Sequence, residues 1–168
     1  MITKFITFIH LLIILLNISY VFCTKNKKYD YIFLLYTYFL ILHWMFFNNE
    51  CIISYVYKKM QNNDYEAGTD LNNNNNDDLY NIFGEYKFNI LTFFHLLFMI
   101  NIYMVARRNN IKQYLIFIFI LIFNAYSLNL VITINYKNTN FQFFNDIFKI
   151  SLLLFGLYIY INKNNIYE

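Results

Sequence analysis

His10, His43 and His95, together with Glu50, Cys23 and Cys51, are the residues of this chain whose types could do chemistry in an apolar setting. Each histidine lies inside a long apolar window. A neutral imidazole there can ligate a metal or a haem, and it can pass a proton at physiological pH. His10 is the sixth residue of its window, His43 lies seven residues before the end of its own, and His95 lies eight residues into a third. At about 1.5 Å of rise per helical residue, all three fall roughly 9–12 Å below one common surface. A shared histidine layer is therefore expected, with His10, His43 and His95 as the cofactor-binding candidates. Glu50 follows His43 by seven residues and would share its helical face if that helix continued, and Ser54 would extend the face by a turn. A carboxylate so placed can orient a ligating imidazole or join it in proton transfer.

Against this reading, no two histidines have the i, i+4 spacing of a zinc helix and no ligand motif is complete, so no metal or cofactor is assigned. The plainer reading is three histidines that hydrogen-bond between helices. Asn101, Asn124, Ser127, Asn129 and Thr133 invite the same reading as polar glue, with a polar pore as the other one. Cys23 and Cys51 belong to no CxxC pattern and are expected as two buried thiols. Antiparallel helices would put them on opposite membrane faces, which argues against a disulfide. The water-exposed segments contain no nucleophile motif, phosphate loop or carboxylate pair, and a Ser-His-Asp arrangement has nowhere to assemble in them. The chain is not expected to be an enzyme, and no catalytic residue is assigned.

The elements that must position these residues follow from where charge is missing. Hydrophobic residues make up 59% of the 168 and charged ones 14%, a ratio that water-soluble domains rarely reach. Phe5 to Thr24, Tyr31 to Asn49, Phe88 to Ala106 and Gln113 to Tyr136 hold no Lys, Arg, Asp or Glu. Each window is long enough to cover the roughly 30 Å hydrocarbon layer as a helix. A fifth window, Phe141 to Ile161, carries Asp146 and Lys149 near its start, and such a lysine can snorkel to the headgroups. Runs such as LLIILL and LIFIFILIF are apolar all round, which excludes the alternation of barrel strands and selects helices. The expected fold is all-α, a single integral membrane bundle over 1–168 with four to five transmembrane helices at about 5–23, 30–48, 88–106, 113–135 and 146–161.

Residues 1–23 also have the layout of a cleavable signal peptide, with Lys4, an apolar centre and Val21-Phe22-Cys23 at the end. Both readings stay open. In the five-helix arrangement the loop with Lys25, Lys27 and Lys28 and the loop with Arg107, Arg108 and Lys112 share one face, which the positive-inside rule places in the cytoplasm. Tyr29, Tyr31, Trp44, Tyr114, Tyr158 and Tyr160 lie near window ends, as an aromatic belt does. Cys51 to Lys59 is expected either to continue the second helix or to lie along the interface. The Asn/Asp-rich stretch 61–81 is expected to be a flexible, low-complexity hinge, because its polar composition cannot bury enough surface to order it.

The abundance of Asn, Ile, Lys, Phe and Tyr matches AT-rich codons, and so an AT-rich genome. The net charge of +3 is scattered, and no basic patch interleaved with aromatics suggests nucleic acid. The stretch around His43, Trp44, Glu50, Cys51, Ser54, Lys58 and Lys59 resembles a segment of small, uncharacterised polytopic membrane proteins of giant (nucleocytoplasmic large) DNA viruses. In these a helix ends in His-Trp, a polar turn carries a Cys, and an apolar turn with a hydroxyl residue leads to paired basic residues. Arg107 and Arg108 are similar too, and the likeness spans about residues 29–112. Ser54 and Tyr57 stand where that pattern has Thr and Glu. The resemblance implies a viral multi-pass membrane protein in a host or virion membrane, with 43–59 as a shared structural unit anchored by Trp44 and Lys58. That family has no assigned activity to carry over. The expected role is a structural or interaction component of a membrane, partnered by the lipid bilayer and other membrane proteins and by no nucleic acid. The alternative is a haem-, metal- or proton-handling protein built on the histidine layer.

Overall fold

A chain with no proline and long apolar windows has little to interrupt its helices. The computed structural model describes residues 2–69, 78–136 and 142–161. Among them the order is α1 (Ile2–Cys23), α2 (Lys27–Phe46), α3 (Ile52–Gln61), α4 (Tyr80–Phe83), a short 3-10 turn (Gly84–Tyr86), α5 (Lys87–Arg108), α6 (Gln113–Tyr136) and α7 (Gln142–Ile161). The described residues are helical with no strand, as expected of an all-α chain. The five long helices match the five windows.

Asparagines set the breaks. Asn26 caps α2, its side-chain oxygen accepting the Lys28 N–H at 3.0 Å and its carbonyl the Asp30 N–H at 3.1 Å. Beyond α2, Asn48 and Asn49 take φ of 50° and 62°. Asn tolerates this left-handed conformation, and the chain turns before α3 begins. The second helix therefore does not run on through Glu50. Asn110, with φ 56°, closes α5, where Ile111 N–H reaches the Ala106 carbonyl and Asn110 N–H that of Arg107. This is a Schellman ending, and it leaves room for only a short loop before α6.

The chain divides into two compact units. The first comprises Met1–Lys25 and Phe47–Asn101, the second Asn26–Phe46 and Ile102–Glu168. In the first, α1 packs on α3, and Asn101 of α5 accepts the Val21 N–H of α1 at 2.8 Å while donating to the Ile18 and Leu97 carbonyls. In the second, α7 packs against α6 and α2, and Trp44 stacks near Phe123. Tyr38 donates to the Leu152 carbonyl at 3.1 Å, and its ring lies so close to Gly156 that a Cβ there would collide with it. Asp30, fully buried, accepts Arg108 Nε at 2.7 Å and a second Arg108 nitrogen, with Asn109 Nδ2 alongside at 2.7 Å.

Besides an apolar core, the helices bury charged and polar side chains and leave large apolar ones exposed. Thr7, His10, Asp30, Thr37, Glu50, Lys58, Asp78 and Asn101 are buried, whereas Phe5, Phe8, Leu16 and Phe22 on α1 are about 60–70% exposed. Leu96 on α5, Phe117, Leu121 and Leu128 on α6, and Leu153, Leu154 and Leu157 on α7 are exposed as well. Among the described residues, two stretches are long and apolar enough to cross a membrane, Lys4–Cys23 with mean hydropathy 2.3 and Tyr80–Arg108 with 1.8. The expectation of four to five spans is thus met by two helices on length and composition. α2 falls short because Lys27, Lys28, Asp30 and its tyrosines lower its hydropathy.

Candidate functional site

The turn after α2 delivers Cys51 to the first position before α3, in an extended conformation with φ −72° and ψ 134°. Helix N-termini leave N–H groups without intrahelical partners; Cys51 makes no side-chain capping hydrogen bond here, but the nearby Ile53 and Ser54 N–H groups favour its thiolate. On its other side the sulfur meets His10 Nε2 of α1 at 3.6 Å. His10 Nδ1 contacts Asp78 Oδ2 at 2.7 Å, and the second carboxylate oxygen of Asp78 accepts the Ser54 hydroxyl at 3.0 Å. Asp78 is fully buried and His10 nearly so. With Nδ1–H donating to the carboxylate, Nε2 is left facing the thiol. The result is a nucleophile, a base and an orienting acid in series.

Electrostatics follows from that geometry. Burial alone would raise the Cys51 thiol, but the His10 contact and the Ile53 and Ser54 N–H groups outweigh it and hold the thiol below its usual range.

A second network lies next along α3. Lys58 Nζ sits 3.0 Å from Glu50 Oε1, and Tyr65 donates to both Glu50 oxygens at 2.9 and 3.0 Å. The Gly68 N–H adds a further donor to Glu50 at 3.0 Å. Burial acts to lower the Lys58 ammonium, yet the Glu50 and Tyr65 contacts dominate and keep it protonated above the usual lysine range. Burial raises the Tyr65 phenol, and Glu50 adds to the effect while Lys58 opposes it. Lys59 donates to the Tyr65 carbonyl at 3.1 Å, and Asn48 to that of Ala67 at 2.9 Å. Gly68, at φ +80°, has no room for a side chain, since a Cβ would stand 2.6 Å from that of Asn48.

The predicted site residues divide between the units. His10 joins Cys51, Ser54 and Asp78 in the first. His95, on α5, belongs to the same unit and is half-buried, while His43 is half-buried on α2 of the second unit. Among the described residues, no three His, Cys, Asp or Glu side chains are grouped as a metal would need. Glu50 lies past the end of the helix that carries His43 and spends its lone pairs on Lys58, Tyr65 and Gly68. Cys23 is exposed instead of buried. Asn124 and Ser127 hydrogen-bond to carbonyls of their own helix, and the Thr133 side chain lies outside the described residues.

The stretch 43–59 acquires a physical meaning position by position. Glu50 and Lys58 form the buried pair, Cys51 and Ser54 hold the His10–Asp78 pair, and Lys59 caps the Tyr65 carbonyl. Of the basic pair after α5, Arg108 clamps Asp30 and Arg107 is exposed. Sequence reasoning did not pick out Asp78, which it assigned to the low-complexity hinge, nor the meeting of His10 with Cys51. His10 and Cys51 are 41 residues apart and His10 and Asp78 are 68 apart, so no local spacing signals them. Residues 70–77, which carry the Asn run, lie outside the described residues, but their flanks are docked: Tyr65, Asp78 and Leu79 are buried. The chain matches no family model, no curated protein and no solved structure.

Proposed function

We propose that this chain is a multi-pass membrane protein acting as a structural or interaction component of its membrane. One observation carries the reading: besides an apolar core, the helices leave many large apolar side chains such as Phe5, Phe22, Phe117 and Leu154 exposed while burying Asp30, Lys58 and Asp78, which in water would leave a greasy surface uncovered and in lipid leaves it solvated. Two helices qualify as spans by length and composition, and α6 adds an apolar stretch over Gln113–Asn129. We extend the count to four or five because α2 neutralises its only buried acid with Arg108, and α7 carries its one acid, Asp146, beside Lys149 at 3.3 Å. The likeness of His43–Lys59 to a segment of giant-virus membrane proteins supports a host or virion membrane, with other membrane proteins as partners. The test is extraction of membranes with alkaline carbonate. The protein is expected to stay in the pellet and to need detergent for release. Recovery in the carbonate supernatant would overturn the proposal.

A second reading, proton handling, is favoured by the 2.7 Å contact of Asp78 with buried His10, which lies about two turns into a helix long enough to cross a bilayer. Proton flux into proteoliposomes, lost on His10→Gln, would support it. Flux indistinguishable from empty liposomes would exclude it.

A further inference from the structure

Beyond that reading, we infer that Cys51 is a nucleophile for long-chain acyl thioesters, with His10 as its base, Asp78 as the residue that positions His10, and an apolar groove between α1 and α3 as the seat of the acyl chain. The cysteine does not stand alone. Its sulfur is held against His10 Nε2 at 3.6 Å, and the opposite ring nitrogen is fixed by Asp78, which is fixed in turn by Ser54. These are the three positions that nucleophilic catalysis requires: an attacking atom, a group to take its proton, and a third group that sets the tautomer of the second. A purely structural His10–Asp78 pair needs no thiol against the other ring nitrogen.

The substrate class follows from the surroundings. A groove of about 260 Å³ runs between the two helices, lined by Phe5, Ile6 and Ile9 of α1 and by Ile52, Ile53 and Val56 of α3. Ile9 precedes His10 in the chain, and Ile52 and Ile53 follow Cys51, so the groove runs along the same turns of α1 and α3 that carry the sulfur–imidazole contact, although neither His10 nor Cys51 lines it. All six side chains are apolar, so the groove offers nothing to a peptide, a sugar or a phosphate and suits a hydrocarbon chain. α1 is also one of the two stretches long and apolar enough to enter a bilayer, which is where an amphipathic acyl donor partitions.

The step balances without a redox partner. The Cys51 sulfur gives its proton to His10 Nε2 as it bonds to the thioester carbonyl carbon. The tetrahedral oxyanion then collapses, the bond from that carbon to the donor sulfur breaks, and the departing thiolate takes the proton from His10. The products are S-acylated Cys51 and the free donor thiol. Asp78 keeps its contact with His10 Nδ1 and so holds the ring in place between the two proton transfers.

The experiment uses the full chain in lipid nanodiscs with palmitoyl-coenzyme A, followed by intact mass and peptide mapping. One palmitoyl group, labile to hydroxylamine, is expected on Cys51 and forms at least about 10²-fold faster than on exposed Cys23, the contribution of a positioned base. His10→Gln is expected to slow it by a similar factor. Equal labelling of the two cysteines, or an unchanged rate in His10→Gln, overturns the assignment. Since His10→Gln also removes a buried contact of the fold, Ile53→Trp provides an independent arm: filling the groove should abolish palmitoyl transfer and spare transfer from acetyl-coenzyme A. Equal loss of both transfers, or loss of neither, removes the acyl chain from the groove.

Discussion

Replacing Glu50 by Gln removes the anion from a pair whose two side chains are only 2% and 5% exposed. The Lys58 ammonium would then be left in a buried site with a phenol and a neutral amide as its neighbours. Breaking a buried ion pair from one side typically costs about 3–5 kcal/mol, because the remaining charge keeps its desolvation penalty and loses its compensation. The Gln amide can still accept from Tyr65 and Gly68, so the lower end of about 3 kcal/mol is the working figure. At about 1.4 kcal/mol per decade, this raises the population in which the 61–69 segment is detached by about 10²-fold. Limited proteolysis of that segment in detergent reports this population when reclosing is faster than cleavage. The expected result is cleavage of Glu50→Gln about 10² times faster than wild type, with the double variant Glu50→Gln, Lys58→Met recovering much of the difference, since it leaves no unpaired charge. Equal cleavage of single variant and wild type would refute the buried-pair argument. So would a double variant worse than the sum of its parts.

Gly68→Ala should loosen the same segment by about 1–3 kcal/mol, because an L-residue at φ +80° is strained and its Cβ meets Asn48, and the same proteolysis would register it. Asn101→Leu removes the amide that bridges α1 and α5 and should cost only about 1 kcal/mol, as membrane hydrogen bonds usually do, seen as a small fall in thermal stability in detergent. In a Cys23→Ser background, the alkylation rate of Cys51 should rise at lower pH in the folded chain than in the same chain unfolded in SDS. The sign follows from the depressed thiol: its thiolate stabilises the fold above the unfolded thiol's range, and this contribution disappears as pH falls through the folded one. Coincident folded and unfolded profiles would contradict the His10 contact.

The helices were readable because charge exclusion and the lack of proline act over whole windows, and a window of nineteen uncharged residues allows few alternatives. Their ends were nearly as clear where an Asn sits at the break, as at Asn26 and Asn110. The segment after α2 was harder. Whether it continued the helix turned on two left-handed asparagines, Asn48 and Asn49, whose conformation depends on the docking of Asn48 against Ala67 and Gly68. The site was half legible: the types of His10 and Glu50 marked them as candidates while Cys51 was expected only as a buried thiol, and their pairing did not follow from depth along a helix. Glu50 pairs with Lys58 instead of serving His43. Asp78 sits beside an asparagine run that reads as solvent-loving, and only the burial of its neighbour Leu79 and its contacts with His10 and Ser54 distinguish it.

The clamp between Asp30 and Arg108 spans 78 positions of chain. During synthesis α2 therefore emerges from the ribosome long before the guanidinium that will neutralise its carboxylate exists. On the multi-pass reading proposed above, Asp30 would keep its hydration near the headgroups until α5 is complete, and α2 would not settle to its final depth before then. Firm seating of α2 is thus a late event in biogenesis. A chain truncated before Arg108 would hold that helix only loosely, however greasy the rest of it is.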